Sequence, residues 1–242
     1  MKTYRNYIFD LYGTLVDIHT DEADPLLWIR LSLWYAEHGA LYESPQTLRA
    51  AYLGLCARAQ AADPDPLFEL ELRDVFRALF AEKGVPADDA LIASTAVFFR
   101  IQSTKKLKLY SWVRPIFKSL RENDRKIFLL SNAQACFTKP ELKALGLADA
   151  FDGIVLSSDA QIKKPSPKIM EGLLTRYDLA VPDCLMTGND LTSDIAVAKA
   201  FGMDSLYLKT ETSGPFIPEK AGTHAVLDGD WSRLPALLGL PE

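Results

Sequence analysis

The residues of this chain best equipped for chemistry stand immediately after short apolar runs. The run "YIF" ends in Asp10, with Tyr12, Gly13 and Thr14 following at once. "IFLL" leads into Ser131 and Asn132, and "CLMT" leads into Gly188, Asn189 and Asp190, with Asp194 four residues further on. Between these, Lys163 and Lys164 precede "PSPKIM". A carboxylate such as Asp10 can act as a nucleophile and form a covalent ester that water later cleaves. An ammonium can neutralise charge between that nucleophile and its substrate, and Thr14, Ser131 and Asn132 can hydrogen-bond the group being transferred. Asp190 and Asp194, spaced four apart, are oxygen donors of the kind a magnesium ion takes. Each residue also has an ordinary use when taken singly. A strand-end Asp or a Ser–Asn pair makes turns, a loop lysine is solvated, and an acid in a first helical turn complements the helix dipole. Their recurrence at the ends of successive apolar runs is what points to a single crevice.

The elements that must carry these residues can be read from pattern. "NYIFD", "KIFLLSN", "GIVLSSD", "CLMTGND" and "SLYLKT", with the weaker "HAVL", are short apolar runs closed by turn residues, as in strands buried on both faces. Helical patterns lie between them. "KPELKALGL" ends at a Gly146 cap, "SPKIMEGLLTRYDL" carries Pro167 in its first turn, and "TSDIAVAKAFGM" ends at Gly202. Strand alternating with helix predicts an α/β fold, a doubly wound parallel sheet, whose ligands bind outside the carboxyl ends of the strands. From about Ile18 to Thr104 the pattern changes to amphipathic helices with no convincing strand: "PLLWIRLSLWYAEHG", "SPQTLRAAYLGLCARAQA" and "PLFELELRDVFRALFAEKG". Leu72, Val75, Phe76, Leu79 and Phe80 fall at helical spacing and are expected in a core. The expected organisation is therefore an α/β core from 1–17 and 105–242, with a helical insert at 18–104.

Composition narrows the function classes. Of the 242 residues, 48% are hydrophobic and 24% charged, ordinary for a globular protein. The net charge of −5, with no Lys/Arg block, disfavours a nucleic-acid or anionic-membrane partner. Cys56, Cys136 and Cys184 are too widely spaced for a zinc site or a disulfide framework. With no signal-like start and no membrane-length apolar run, a cytoplasmic protein acting on a small molecule, as monomer or homodimer, is expected.

Taken in order, "DLYGTLVD", "LLSNA", "KKPSPKIM" and "GNDLTSDI" resemble the four motifs of the haloacid dehalogenase-like (HAD) hydrolase superfamily, and the helical insert lies where that family places its type-one cap. The resemblance implies a Rossmannoid core with an inserted helical cap domain. It also implies an aspartyl enzyme intermediate on Asp10, and roles for Thr14, Ser131, Asn132 and Lys164 beside it. Lys164, directly before proline, matches the motif better than Lys163. In the family's phosphatases Mg²⁺ sits in this crevice, which here implies Asp10, the Tyr12 carbonyl and Asp190 as ligands, with Asp194 in the same motif. Asn189 occupies the position directly after glycine, where another alignment would put the metal-binding Asp. A cap must show polar groups to its substrate, and Arg30 and His19 are candidates, with Asn189 on the core side.

The pattern also departs from the phosphatases. They carry an acid two positions after the nucleophile, and here that position is Tyr12, as in the 2-haloacid dehalogenases, where halide leaves without a proton. The dehalogenase tyrosine six positions after the motif-three lysine is here Met170, and no cap arginine is clearly matched. The expected function is a Mg²⁺-dependent hydrolase of a small phosphorylated metabolite. A metal-independent 2-haloacid dehalogenase is the alternative, and a catalytically weak binding or regulatory protein on the same scaffold is a third reading.

Overall fold

A computed structural model describes residues 2–240. In chain order its elements are β1 (Asn6–Phe9), β2 (Val16–Thr20), α1 (Pro25–Glu37), α2 (Pro45–Ala61), α3 (Leu72–Ala81), α4 (Asp89–Ser103) and β3 (Thr104–Leu109), followed by α5 (Val113–Glu122), β4 (Lys126–Ser131), α6 (Ala135–Ala144), β5 (Gly153–Leu156) and α7 (Ser157–Ala160). The chain ends with α8 (Pro167–Tyr177), β6 (Cys184–Gly188), α9 (Asp194–Ala200), β7 (Asp204–Leu208), β8 (His224–Val226) and α10 (Leu234–Leu237).

Six strands form one parallel sheet in the order β5-β4-β1-β6-β7-β8. Residues 6–9 of β1 are all buried, as are 127–131 of β4 and 184–188 of β6, so these strands need apolar side chains on both faces and could not alternate. β1 lies between β4 and β6, with Phe9 opposite Leu129 on one side and Thr187 on the other. This register brings the residues following all three strands to one edge. The order also reverses beside β1: the chain builds outward to β4 and β5, then returns to β6 on the opposite flank. That reversal opens the crevice in which a doubly wound sheet holds its ligand.

Residues 25–103 form four helices inserted between β2 and β3, which pair antiparallel as a separate two-stranded ribbon. This ribbon departs from the pattern reading, which listed neither of its strands: β2 runs into the stretch read as strandless at residues 18–20, and β3 begins where that stretch ends. Its sequence "TKKLKL" hides the strand, because the lysines face solvent while Leu107 and Leu109 pack on the core. Lys106 pairs with Asp17 across the ribbon. α3 is also shorter than the pattern suggested, beginning at Leu72. The preceding residues run extended, and Phe68 bridges to Ile162 beside the sheet. α6 begins earlier, at Ala135, with Pro140 inside it. No helix among the described residues is long and apolar enough to cross a membrane.

The helical insert has its own aromatic core. Trp28, Tyr35, Tyr52, Phe76, Phe80 and Phe99 are buried, as are Leu72, Val75 and Leu79 at the helical spacing noted above. Trp34 is partly buried and stacks on Phe98. Phe137 of α6, on the sheet side, enters this cluster and stacks on Phe99 at 6.0 Å between ring centroids. Such aromatic pairs add to the free energy of simple burial. Phe99→Ala would leave a cavity where Trp28, Tyr52, Phe76 and Phe137 meet. The expected loss is about 3–5 kcal/mol of stability, read as a lower urea midpoint at unchanged m-value.

Candidate active site

The carboxyl ends of β1, β4 and β6 converge on Asp10, which is only 6% exposed. Its Oδ1 accepts from Lys164 Nζ at 2.8 Å and from Ser131 Oγ at 2.9 Å, and its Oδ2 accepts from Thr14 Oγ1 at 3.0 Å. Asp10 therefore has three donors from three separate segments. The turn that returns Thr14 to Asp10 needs Gly13, whose φ is +82°. A Cβ there would stand 2.3 Å from Thr212 Oγ1 and 2.4 Å from Asn189 Nδ2. Only glycine fits that approach.

Lys164 is the centre of the arrangement. Its side chain is 1% exposed, and its ammonium donates to Asp10 Oδ1, to Asp194 Oδ1 at 2.7 Å and to the Leu130 carbonyl at 2.7 Å. Three donors meet three acceptors, which offsets the desolvation of the charge. Burial alone would lower the Lys164 pKa, but Asp10 and Asp194 more than reverse this, so the pKa is raised. Asn132 holds the lysine's backbone in place: its Nδ2 donates to the Lys164 carbonyl at 3.0 Å, and its Oδ1 accepts from the Lys164 N–H at 2.7 Å. Asn132 thus acts on the lysine segment rather than directly on Asp10. Lys163 makes none of these contacts to Asp10.

Asp194 is placed differently from the expected metal ligand. Its Oδ1 is held by Lys164, and its Oδ2 accepts the N–H groups of Asn189 and Asp190, both at 3.0 Å. Burial raises its carboxyl pKa, with Lys164 opposing and Asp10 adding to the rise. Its work is to brace the loop after β6 and the lysine, with one donor on Oδ1 and two on Oδ2. Gly188 is required beside it, since a Cβ there would meet the Asp194 carboxylate at 2.3 Å.

Asn189 and Asp190 divide the space after β6. Asn189 is buried; its Oδ1 accepts from Thr14 Oγ1 at 3.2 Å and its Nδ2 donates to Thr212 at 3.0 Å and Thr210 at 3.3 Å. Asp190 is exposed, with Oδ1 turned to the N–H and hydroxyl of Thr192 at 2.6 and 2.7 Å. Partial burial pushes its pKa up, but donors from Thr192 and Ser193 outweigh that and hold it below the usual carboxylate range. A cavity of about 480 Å³ is lined by Asp10, Tyr12, Ser131, Lys164, Asn189 and Asp190 among others. Among the described residues no group of three or more His, Cys, Asp and Glu side chains could hold a metal. Asp10, Tyr12, Asp190 and Asp194 all line that cavity. Carboxylates with a backbone carbonyl are an oxygen donor set of the kind a magnesium ion that keeps most of its waters takes.

Tyr12 turns its phenol away from Asp10. The hydroxyl donates to Glu141 of α6 and lies 3.1 Å from Thr138 Oγ1. Burial, then the Glu141 charge, raises its pKa well above the usual phenol range, with Arg100 opposing. Arg100 of α4 donates from Nε to Glu141 at 2.5 Å and lies over the rings of Tyr12 and Phe137. This contact ties the helical insert to the loop after β1.

The two insert residues expected at the substrate are elsewhere. Arg30 is exposed and donates to Gln102 at 2.6 Å, and His19 is exposed on β2. The partner of Arg30 is the outer end of α4, so its charge faces solvent. Pattern reading missed Thr210 and Thr212, although the hydroxyl-rich "KTETSG" directly follows a strand. It also missed Arg100 and Glu141, which are 41 positions apart and carry no local signal.

Comparison with known proteins agrees with this geometry. A family model for haloacid dehalogenase-like hydrolases matches residues 4–202. The chain is 30% identical over 205 residues to a phosphoglycolate phosphatase of Yersinia pseudotuberculosis, covering 83% of this chain and 79% of that protein. Among solved structures, a 2-haloacid dehalogenase from Pseudomonas syringae superposes with a TM-score of 0.68 at 21% identity, covering 98% of this chain and 99% of that one. The putative HAD-hydrolase YfnB from Bacillus subtilis, bound to magnesium, superposes with a TM-score of 0.58 at 20% identity, covering 99% and 100%. Since the family model spans most of the sequence and the strand-end residues meet at one crevice, the chain belongs to the haloacid dehalogenase-like hydrolases.

Proposed function

We propose that the protein is a phosphatase of small phosphate monoesters, with Asp10 as nucleophile and residues 18–104 as the cap over the cleft. The observation that carries this reading is the Asp10 carboxylate: buried, bound by three donors, and open to a cavity on its remaining side. Its likeness to a phosphoglycolate phosphatase supports the same reading.

Oδ2 carries a single hydrogen bond and keeps a lone pair for attack on phosphorus. As the Oδ2–P bond forms, the bond from phosphorus to the leaving oxygen breaks, giving an aspartyl phosphate. Water then attacks that phosphorus, releasing inorganic phosphate and restoring the carboxylate. Lys164 reduces repulsion between the nucleophile and the phosphoryl oxygens, and Ser131 and Thr14 hold the carboxylate in line. Asp10, Asp190 and the Tyr12 carbonyl would hold Mg²⁺, which when bound neutralises charge on the phosphoryl group. The Tyr12 phenol is bound to Glu141 and does not face the leaving oxygen, so that oxygen takes its proton from water.

A second reading, 2-haloacid dehalogenation, is favoured by this same lack of a proton donor at position 12. Attack would then fall on carbon, with halide leaving unprotonated. Release of halide from 2-haloacids in the presence of chelator, without phosphate ester turnover, would select it.

Asp10→Asn should lower turnover by on the order of 10³-fold or more in steady-state assays, because an amide cannot form the ester. Wild-type rate with an intact fold would remove Asp10 from the reaction. Titration calorimetry should show Mg²⁺ binding that weakens in Asp190→Ala; unchanged binding would exclude Asp190 as a ligand. Across a series of phosphate esters, the rate should fall steeply as leaving-group pKa rises, since a general acid worth roughly 10²–10⁴-fold is missing. A flat series would show that another group supplies the proton.

A further inference from the structure

A second cavity, of about 280 Å³, lies beside the Asp10 cavity on the side of the helical insert and shares Tyr12 and Asn132 with it. Phosphate held at Asp10 would direct its leaving group into this chamber. Its charged lining is Glu22, Glu69 and Arg100. Arg100 is already neutralised, with Nε and Nη2 engaged by Glu141 and its face over two aromatic rings. Glu69 accepts only from uncharged donors, Ser157 Oγ at 2.8 Å and Gln134 Nε2 at 3.2 Å. Among the described residues no cation stands at ion-pair distance from Glu22; burial raises its carboxyl pKa, and the more distant Arg100 opposes that rise. With the arginine paired, two carboxylate charges face the chamber.

We infer that the chamber selects phosphate monoesters whose leaving group carries an ammonium and disfavours those whose leaving group carries a carboxylate. This rests on the phosphatase reading and narrows it to a substrate class. It also separates this chain from a phosphoglycolate phosphatase such as its Yersinia relative, since glycolate leaves as a carboxylate. The same field opposes a 2-haloacid. Like-charge placement costs more than a matched ion pair gains, so the discrimination comes mainly from rejecting the anion.

The test compares kcat/KM for 3-(aminomethyl)phenyl phosphate, 3-carboxyphenyl phosphate and uncharged phenyl phosphate, in wild type and in Glu22→Gln. The ammonium ester is expected to exceed the carboxylate ester by about tenfold or more, which is roughly 1.4 kcal/mol. That ratio should shrink in Glu22→Gln and fall as salt is added to the wild type. A ratio near one, a reversed ratio, or a ratio untouched by Glu22→Gln, with phenyl phosphate still hydrolysed, overturns the charge selection and leaves the phosphatase reading standing. No turnover of any of the three esters overturns both.

Discussion

Everything at this site depends on one buried ammonium. Lys164 stands between Asp10 and Asp194, and no other described cation contacts either carboxylate. Without it, two acids would face each other in a region of low dielectric, and one would have to take up a proton. With it, the two carboxylates share one positive charge. The cost of burying three charges is further offset by hydrogen bonds from uncharged donors. Ser131 and Thr14 serve Asp10, and two backbone N–H groups serve Asp194. Removing one partner of such a cluster strands the others, which is why each of these positions is constrained in side-chain type.

The ammonium can be so placed because the sheet delivers its partners from different strands. The carboxylates follow β1 and β6, the lysine arrives on the segment after α7, and the carbonyl of Leu130 comes from β4. Parallel strands joined through helices expose their carboxyl ends at one edge, so residues far apart in sequence meet without long loops. Gly13 and Gly188 are the cost of that crowding, because neither position has room for a side chain.

The helical insert is joined to this edge by more than its ribbon. Phe137 of α6 packs inside the insert's aromatic cluster, and Arg100 of α4 reaches Glu141, the acceptor of the Tyr12 hydroxyl. The position where a phosphatase of this family carries an acid is thus occupied by a ring that joins the nucleophile loop to α6 and α4. Tyr12 has exchanged a proton donor for a structural contact. The chamber on its far side then owes its charge to Glu22 and Glu69, whose places are set by the insert.

The six strands of the sheet and the α/β class were legible in the sequence, and Asp10, Ser131, Lys164 and Asp194 stood out there as polar residues beside strand ends. Apolar runs that must be buried on both faces announce themselves, and polar residues at their carboxyl ends have few reasons to be there. The ribbon strand β3 was not legible, because a solvent-facing Lys-rich strand has no apolar signature until its partner is known. Nor could spacing tell which oxygens of a "D-x-x-x-D" pair are free. Asp194 and Asp190 look alike in sequence, and only the lysine's position and the path of the loop turn one inward and the other out. Arg30 and Arg100 are both arginines on helices of the insert, and helical phase relative to the sheet, a tertiary quantity, sends one to solvent and the other to Glu141. Local chemistry determined which groups could react; packing between distant segments decided which of them line the cavity.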